Sequence, residues 1–195
     1  MPSPLGHFLA GLAVGIATDP EPPPTRRPLR EHLTGFALAC GALAAAPDLD
    51  LLLHKTLLGE FHRTATHSVT AVALVLIIGV LVTGKVTRRR SRWWAVVFAA
   101  AWGTHLLMDW LGADPSRPPG QQLLWPFSDR YFISGIDFFP STERNFHGEK
   151  FLIRNMVAGV TELAVGIPLV ALGWLLGLPR RMAVGRRLKR GATTS

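Results

Sequence analysis

Between residues 156 and 178 the chain carries one ionisable side chain, Glu162, and between residues 93 and 111 only His105 and Asp109. Helical runs of about 20 apolar residues match the hydrocarbon thickness of a bilayer. A third run, residues 69–83, is shorter, but Thr64, Ala65 and Thr66 before it and Gly84 after it let it span with some thinning or tilt. Residues 5–18 and 33–46 are rich in Gly and Ala. At 1.5 Å per residue each reaches only about 21 Å, so they span only when packed tightly on neighbours, which small residues allow. The expected fold is all-α: a polytopic integral membrane bundle of about five membrane-embedded helices, forming one domain over residues 1–178.

The formal charge of +8 would suit a nucleic-acid partner, but the basic residues flank the apolar runs. Arg26, Arg27 and Arg30 lie between the first two segments. Lys85, Arg88, Arg89, Arg90 and Arg92 lie between the third and fourth, and Arg180, Arg181, Arg186, Arg187, Lys189 and Arg190 follow the fifth. Five alternating spans put all three groups on one side, the cytoplasmic side by the positive-inside rule. The expected location is therefore a bacterial-type inner (cytoplasmic) membrane, crossed several times, with membrane lipids as surroundings. No reading module accompanies the charge, so no nucleic acid is expected as a partner. Residues 179–195 read as a basic, disordered tail, and the single cysteine, Cys40, as a packing residue.

The Pro-rich stretch 19–28 separates the first two segments as an exposed, extended linker. Pro47 stops the second segment just before Asp48 and Asp50. A long loop, 112–154, holds Trp125, Phe127, Tyr131, Phe132, Phe138, Phe139 and Phe146, which suits seating at a membrane interface or a lid. Trp125-Pro126-Phe127 reads as an interfacial anchor.

With the basic loops inside, His7, Asp48, Asp50, His62, His67, His105 and Asp109 all fall toward the outer face. His105 and Asp109 are spaced i, i+4, so one helix face presents both. An aspartate within an apolar span is costly unless paired, hydrogen-bonded or bound to metal. Taken singly, each position has a plainer reading: Asp109 paired with a neighbour, the 62–68 stretch a polar helix start, Asp48 and Asp50 turn formers, His7 a core histidine. Together they offer nitrogen and oxygen donors without thiolate, a set that suits one or two divalent ions, Zn or Mn. Such an ion favours hydrolysis. Asp48 and Asp50 are candidate general bases, and Arg63 a candidate partner for an anionic substrate. A membrane regulator or metal-binding protein without turnover would keep the same site. Glu162 is either a functional residue or the partner of a polar neighbour. His32, His54 and His147 read as surface histidines.

These residues also carry a resemblance. Pro4-Leu5-Gly6-His7, Pro47-Asp48-Leu49-Asp50, His62-Arg63-x-x-Thr66-His67-Ser68, His105-Leu106-Leu107-Met108-Asp109 and Leu124-Trp125-Pro126-Phe127 resemble, from the N-terminus to about Ser128, the successive motifs of the membrane-bound metal-dependent hydrolases. That family is also described as LexA-binding inner-membrane-associated hydrolases, or YdjM-like. The resemblance implies a helical membrane protein with hydrolase activity, and the expected substrate is an ester or phosphoester of a small molecule or a lipid. It also implies His7, Asp48, Asp50, His62, His67, His105 and Asp109 as the matching polar positions.

Overall fold

The computed structural model describes residues 1–25, 27–51, 62–83 and 88–192, so Arg26, His54, Lys55 and Lys85 lie outside the described residues. It is helical throughout: α1 (Pro4–Thr18), α2 (Gly35–Ala45), α3 (Val69–Thr83), α4 (Arg88–Leu111), α5 (Phe151–Leu176) and α6 (Leu178–Ala192), with no strand among the described residues. Ser3 caps α1 by accepting from the Leu5 amide, and Pro4 takes the first helical position, where its missing N–H costs nothing. Thr34 caps α2 through the Ala37 amide. Pro47 then tightens the chain into a 3-10 turn, Ala46–Leu49.

α1 is the hub, packing on α2, α4 and α5, while α3 packs on α4. Its approach to α2 is close because the contact residues are small. A Cβ on Gly11 would stand 2.4 Å from the Cys40 carbonyl oxygen, and one on Gly173 of α5 would stand 2.4 Å from that of Ala13. Cys40 is fully buried in this packing, as its apolar setting suggested.

α5 buries one narrow face, Ala158, Glu162, Gly166 and Gly173, against the bundle. Its other faces leave Leu152, Ile153, Val160, Ile167 and Leu176 more than half exposed. So large an apolar surface fits lipid rather than water. At 26 residues, about 39 Å, α5 is the one helix among the described residues long and apolar enough to cross a membrane. The expected count of five spans is not carried by helix length. α1 and α3 have 15 residues and α2 has 11, and α4 opens on arginines.

Three expectations are corrected. The tail read as disordered is helical as far as Ala192. Arg181 anchors it: fully buried, it donates to the carbonyls of Ile16 (2.9 Å) and Trp174 (3.1 Å), satisfying oxygens that the ends of α1 and α5 leave without helical partners. His32, expected at the surface, is buried beneath Arg181, whose Nε donates to its Nδ1 at 3.2 Å. The Pro-rich linker is only partly exposed, since Asp19 and Pro22 are buried and Asp19 accepts from the Thr34 hydroxyl and the Glu21 amide.

The 112–154 loop folds over the opposite end of the bundle. The Val69 amide donates to Leu123, the Gln121 side chain to the Leu106 carbonyl, and the Ser134 amide to Trp110. Phe127 and Phe146 project from its rim, 88% and 77% exposed.

Candidate metal centre

Four chain segments meet beneath this loop. α1 supplies His7 from its first turns and the 3-10 turn after α2 supplies Asp48, with Asp50 one residue past it. The turn before α3 brings His62 and His67, and the last turns of α4 bring His105 and Asp109. Asp109 is central. Its oxygens lie 3.4 Å from His7 Nε2, 3.6 Å from His67 Nε2 and 3.3 Å from His105 Nε2. Asp48 Oδ1 stands 3.8 Å from His67 Nε2 and 3.9 Å from His105 Nε2. The rings of His7 and His105 stack with centroids 3.7 Å apart.

The other nitrogens of two of these histidines are already committed. His105 Nδ1 donates to the Ala44 carbonyl at 2.8 Å, which fixes the tautomer and leaves Nε2 as the electron-pair donor. The Thr66 hydroxyl donates to Asp50 at 2.6 Å, so toward His67 Nδ1, 2.9 Å away, it accepts. His67 Nε2 is thereby left facing Asp48 and Asp109.

The donor set fits a divalent cation on two counts. Both His7 nitrogens, Nε2 of His67 and His105, and both Asp109 oxygens are buried without a hydrogen-bond partner among the described residues. Each such group costs about 1–3 kcal/mol if left unsatisfied. Their spacing of 3.3–3.6 Å is too long for good hydrogen bonds but is close to the separation, about 3.3 to 3.6 Å, of two ligands bound at about 2.0–2.2 Å to one tetrahedral ion. His7, His105 and Asp109 make one compact group of potential ligands, and Asp48, His62 and His67 a second beside it.

Electrostatics point the same way. Burial opposes charge on His67, but the facing carboxylates of Asp48 and Asp50 and the negative charge of Asp109 raise its pKa to about 9. Burial likewise opposes ionisation of Asp48 and Asp50. Their histidine partners, with the Thr66 hydroxyl on Asp50, nevertheless hold both below the usual carboxylate range. Three carboxylates among these imidazoles could hold a cation in place of the His67 proton.

With this geometry in place the comparison with known families is decisive. The model of the YdjM inner membrane protein family matches residues 1–180. The chain belongs to that family. Searches of curated proteins and of solved structures give no match. Family membership makes this an inner membrane protein, and the matched region runs through all the residues of the candidate centre.

Two positions of this YdjM-family chain have settings that sequence did not suggest. His62 is held on both sides, by Asp50 at Nδ1 (2.7 Å) and by the Arg144 guanidinium at Nε2 (3.2 Å). Arg63 has a left-handed backbone, φ 71°, which a bulky residue keeps only when its surroundings hold it. Its Nη1 donates to Asp114 (2.9 Å) and to the carbonyls of Pro118 (2.8 Å) and Gly120 (3.0 Å), and the Tyr131 ring lies beneath it. Arg63 therefore binds the loop to the centre. Arg144 and Asp114 gave no sequence signal, lying in an irregular loop without periodicity. Glu162 resolves toward the second of its readings: its carboxylate receives the Ser3 amide (2.6 Å), the Ser3 hydroxyl and the Gly6 amide (3.2 Å). It holds the first turn of α1, and through it His7. His147 is exposed, as expected.

Proposed function

We propose that the chain is a membrane-bound, metal-dependent hydrolase acting on an ester or phosphoester, its centre near the outer surface of a bundle that crosses the inner membrane five times. The observation that carries this is the set of buried, unpartnered nitrogens of His7, His67 and His105 gathered around Asp109. His7, His67, His105 and Asp109 would hold the first ion, Zn or Mn, with Asp48 beside it and not bound to it. A second ion would take the neighbouring group of Asp48, His62 and His67 only by displacing Arg144 from His62 Nε2. When bound, such an ion lowers the pKa of a ligated water and polarises a carbonyl or phosphoryl oxygen.

The protein's own part is the handling of protons. Asp48 is the least enclosed of the three carboxylates, with 12% of its side chain exposed against 8% for Asp50 and 1% for Asp109. It is the general base of this proposal. The water oxygen bonds to the ester carbon or phosphorus, its proton passes to Asp48, and the ester bond breaks with the leaving oxygen taking up a proton. Asp50 is occupied by His62 and Thr66 and orients them, and Arg63 keeps the loop seated.

Purified protein should contain metal, and His67→Ala and Asp109→Ala should not. A chelator should abolish hydrolysis of a phosphoester panel and one added metal should restore it. Negligible metal in wild type and variants alike would end the proposal. A second reading, a structural or sensory metal site without turnover, is favoured by the complete burial of His7, His67 and His105, since structural sites are closed. It predicts bound metal and no hydrolysis.

A further inference from the structure

Next to His62 lies a cavity of about 250 Å³ whose lining includes Arg63, Ser116, Arg117, Tyr131 and Arg144. Among its described lining residues there are three guanidinium groups and no carboxylate. The nearby acids are committed elsewhere. Asp114 pairs with Arg63, Glu143 takes Arg154 at 3.0 Å, and Asp50 takes His62 and Thr66. Arg117 and Arg144 have no acidic partner among the described residues. Arg144 nevertheless reaches His62 at 3.2 Å, so this positive wall begins at the edge of the metal centre.

Uncompensated guanidinium groups facing a shared cavity recognise tetrahedral and planar oxyanions through charge-assisted, forked hydrogen bonds. The volume is below that of sites for drug-sized ligands and suits a compact anionic head. From these observations we infer that the cavity seats the phosphoryl group of the substrate, and that Arg117 and Arg144 select a phosphoester over a neutral ester. The inference rests on the hydrolase reading for its meaning but not for its test. Arg63, with Nη1 held by three acceptors, forms the fixed side of the cavity. Tyr131 adds a neutral hydroxyl donor.

The test uses the full chain purified in detergent, with its metal content measured, titrated calorimetrically with inorganic phosphate. Wild type should bind phosphate. Arg117→Gln should weaken binding at least tenfold with metal content unchanged, and Arg144→Lys should keep part of what Arg144→Gln loses. Competition by glycerol phosphate would mark a water-soluble phosphoester, and stronger competition by micellar lysophosphatidic acid a lipid headgroup. Either supports the assignment. Phosphate binding absent from wild type, or unchanged in Arg117→Gln and Arg144→Gln, overturns it. So does binding lost in His67→Ala but intact in Arg117→Gln, which would put the anion on the ion. A metal-free wild type would sink the hydrolase reading instead, and the phosphate titration would be read in the same way.

Discussion

Glu162, midway along α5, accepts the backbone amide of Ser3 at 2.6 Å, so the residue that caps α1 is itself fixed by a carboxylate 159 positions later in the chain. His7 lies one helical turn beyond. Glu162→Ala would leave buried amides without a partner and should cost about 2–3 kcal/mol. It should also lower metal occupancy, although Glu162 touches no ligand. Glu162→Gln keeps an acceptor and should lose less of both. Thermal unfolding in detergent and elemental analysis on the same samples check this.

His67 and His62 should respond differently to removal. His67→Ala deletes a central donor and should abolish metal retention on dialysis. His62, held between Asp50 and Arg144, supports Asp50 from outside the most buried group, so His62→Ala should weaken retention about 10- to 100-fold. Equal losses in the two variants would place His62 among the innermost ligands.

The raised pKa of His67, about 9, gives the metal-free protein a pH signature. The folded value lies above the unfolded one of about 6.5, so protonated His67 contributes stability fully below pH ~6.5 that fades as pH rises through ~9. Metal binding requires the neutral ring, so apparent affinity should climb as pH rises toward 9 and level off above it. Melting temperature of chelator-treated protein should fall between pH 6 and 9.5 while metal affinity increases. Parallel trends would contradict the assignment.

Asp114 joins Arg63 to the loop. Burial favours its neutral form, but hydrogen bonds from Ser116 and the Gly120 amide, with the Arg63 charge, hold its carboxyl below the usual range. The stability it supplies is present above pH ~4 and lost as pH falls into the acid range. Asp114→Asn should loosen the 112–154 loop at neutral pH, seen as faster cleavage there by added protease, with the helices intact.

Gly11 tests the helix packing. A methyl group there meets the Cys40 carbonyl oxygen and Ala44 Cβ at 2.4 Å, so Gly11→Ala should destabilise by about 1–3 kcal/mol. Because the Ala44 carbonyl orients His105, metal retention should fall with stability.

How much of this was legible depended on the range of the signal. His105 and Asp109 could be paired from their spacing alone, because helical geometry is local. The meeting of His7, Asp48, His67 and Asp109 followed from alternating spans and basic loops, and the structure brings those residues together. The number of spans was less legible, since composition marks a segment as apolar without fixing whether its helix is long enough to cross. His32 looked exposed because alternating spans put it on the inner side, away from the candidate centre. Its partner Arg181 is 149 residues away, and no periodicity links them. Arg144 on His62 was hidden for the same reason. The tail's helix was obscured by its charge, which conceals how Arg181 ties it to the ends of α1 and α5.

α1 is fastened at one end by Glu162 and at the other by Arg180 and Arg181, which bond the carbonyls of Ala17 and Ile16. Both ends of α1 are thus secured by residues about 160 positions further along the chain. The place of His7, and with it any cation site built on it, therefore depends on α5 and α6 packing against α1.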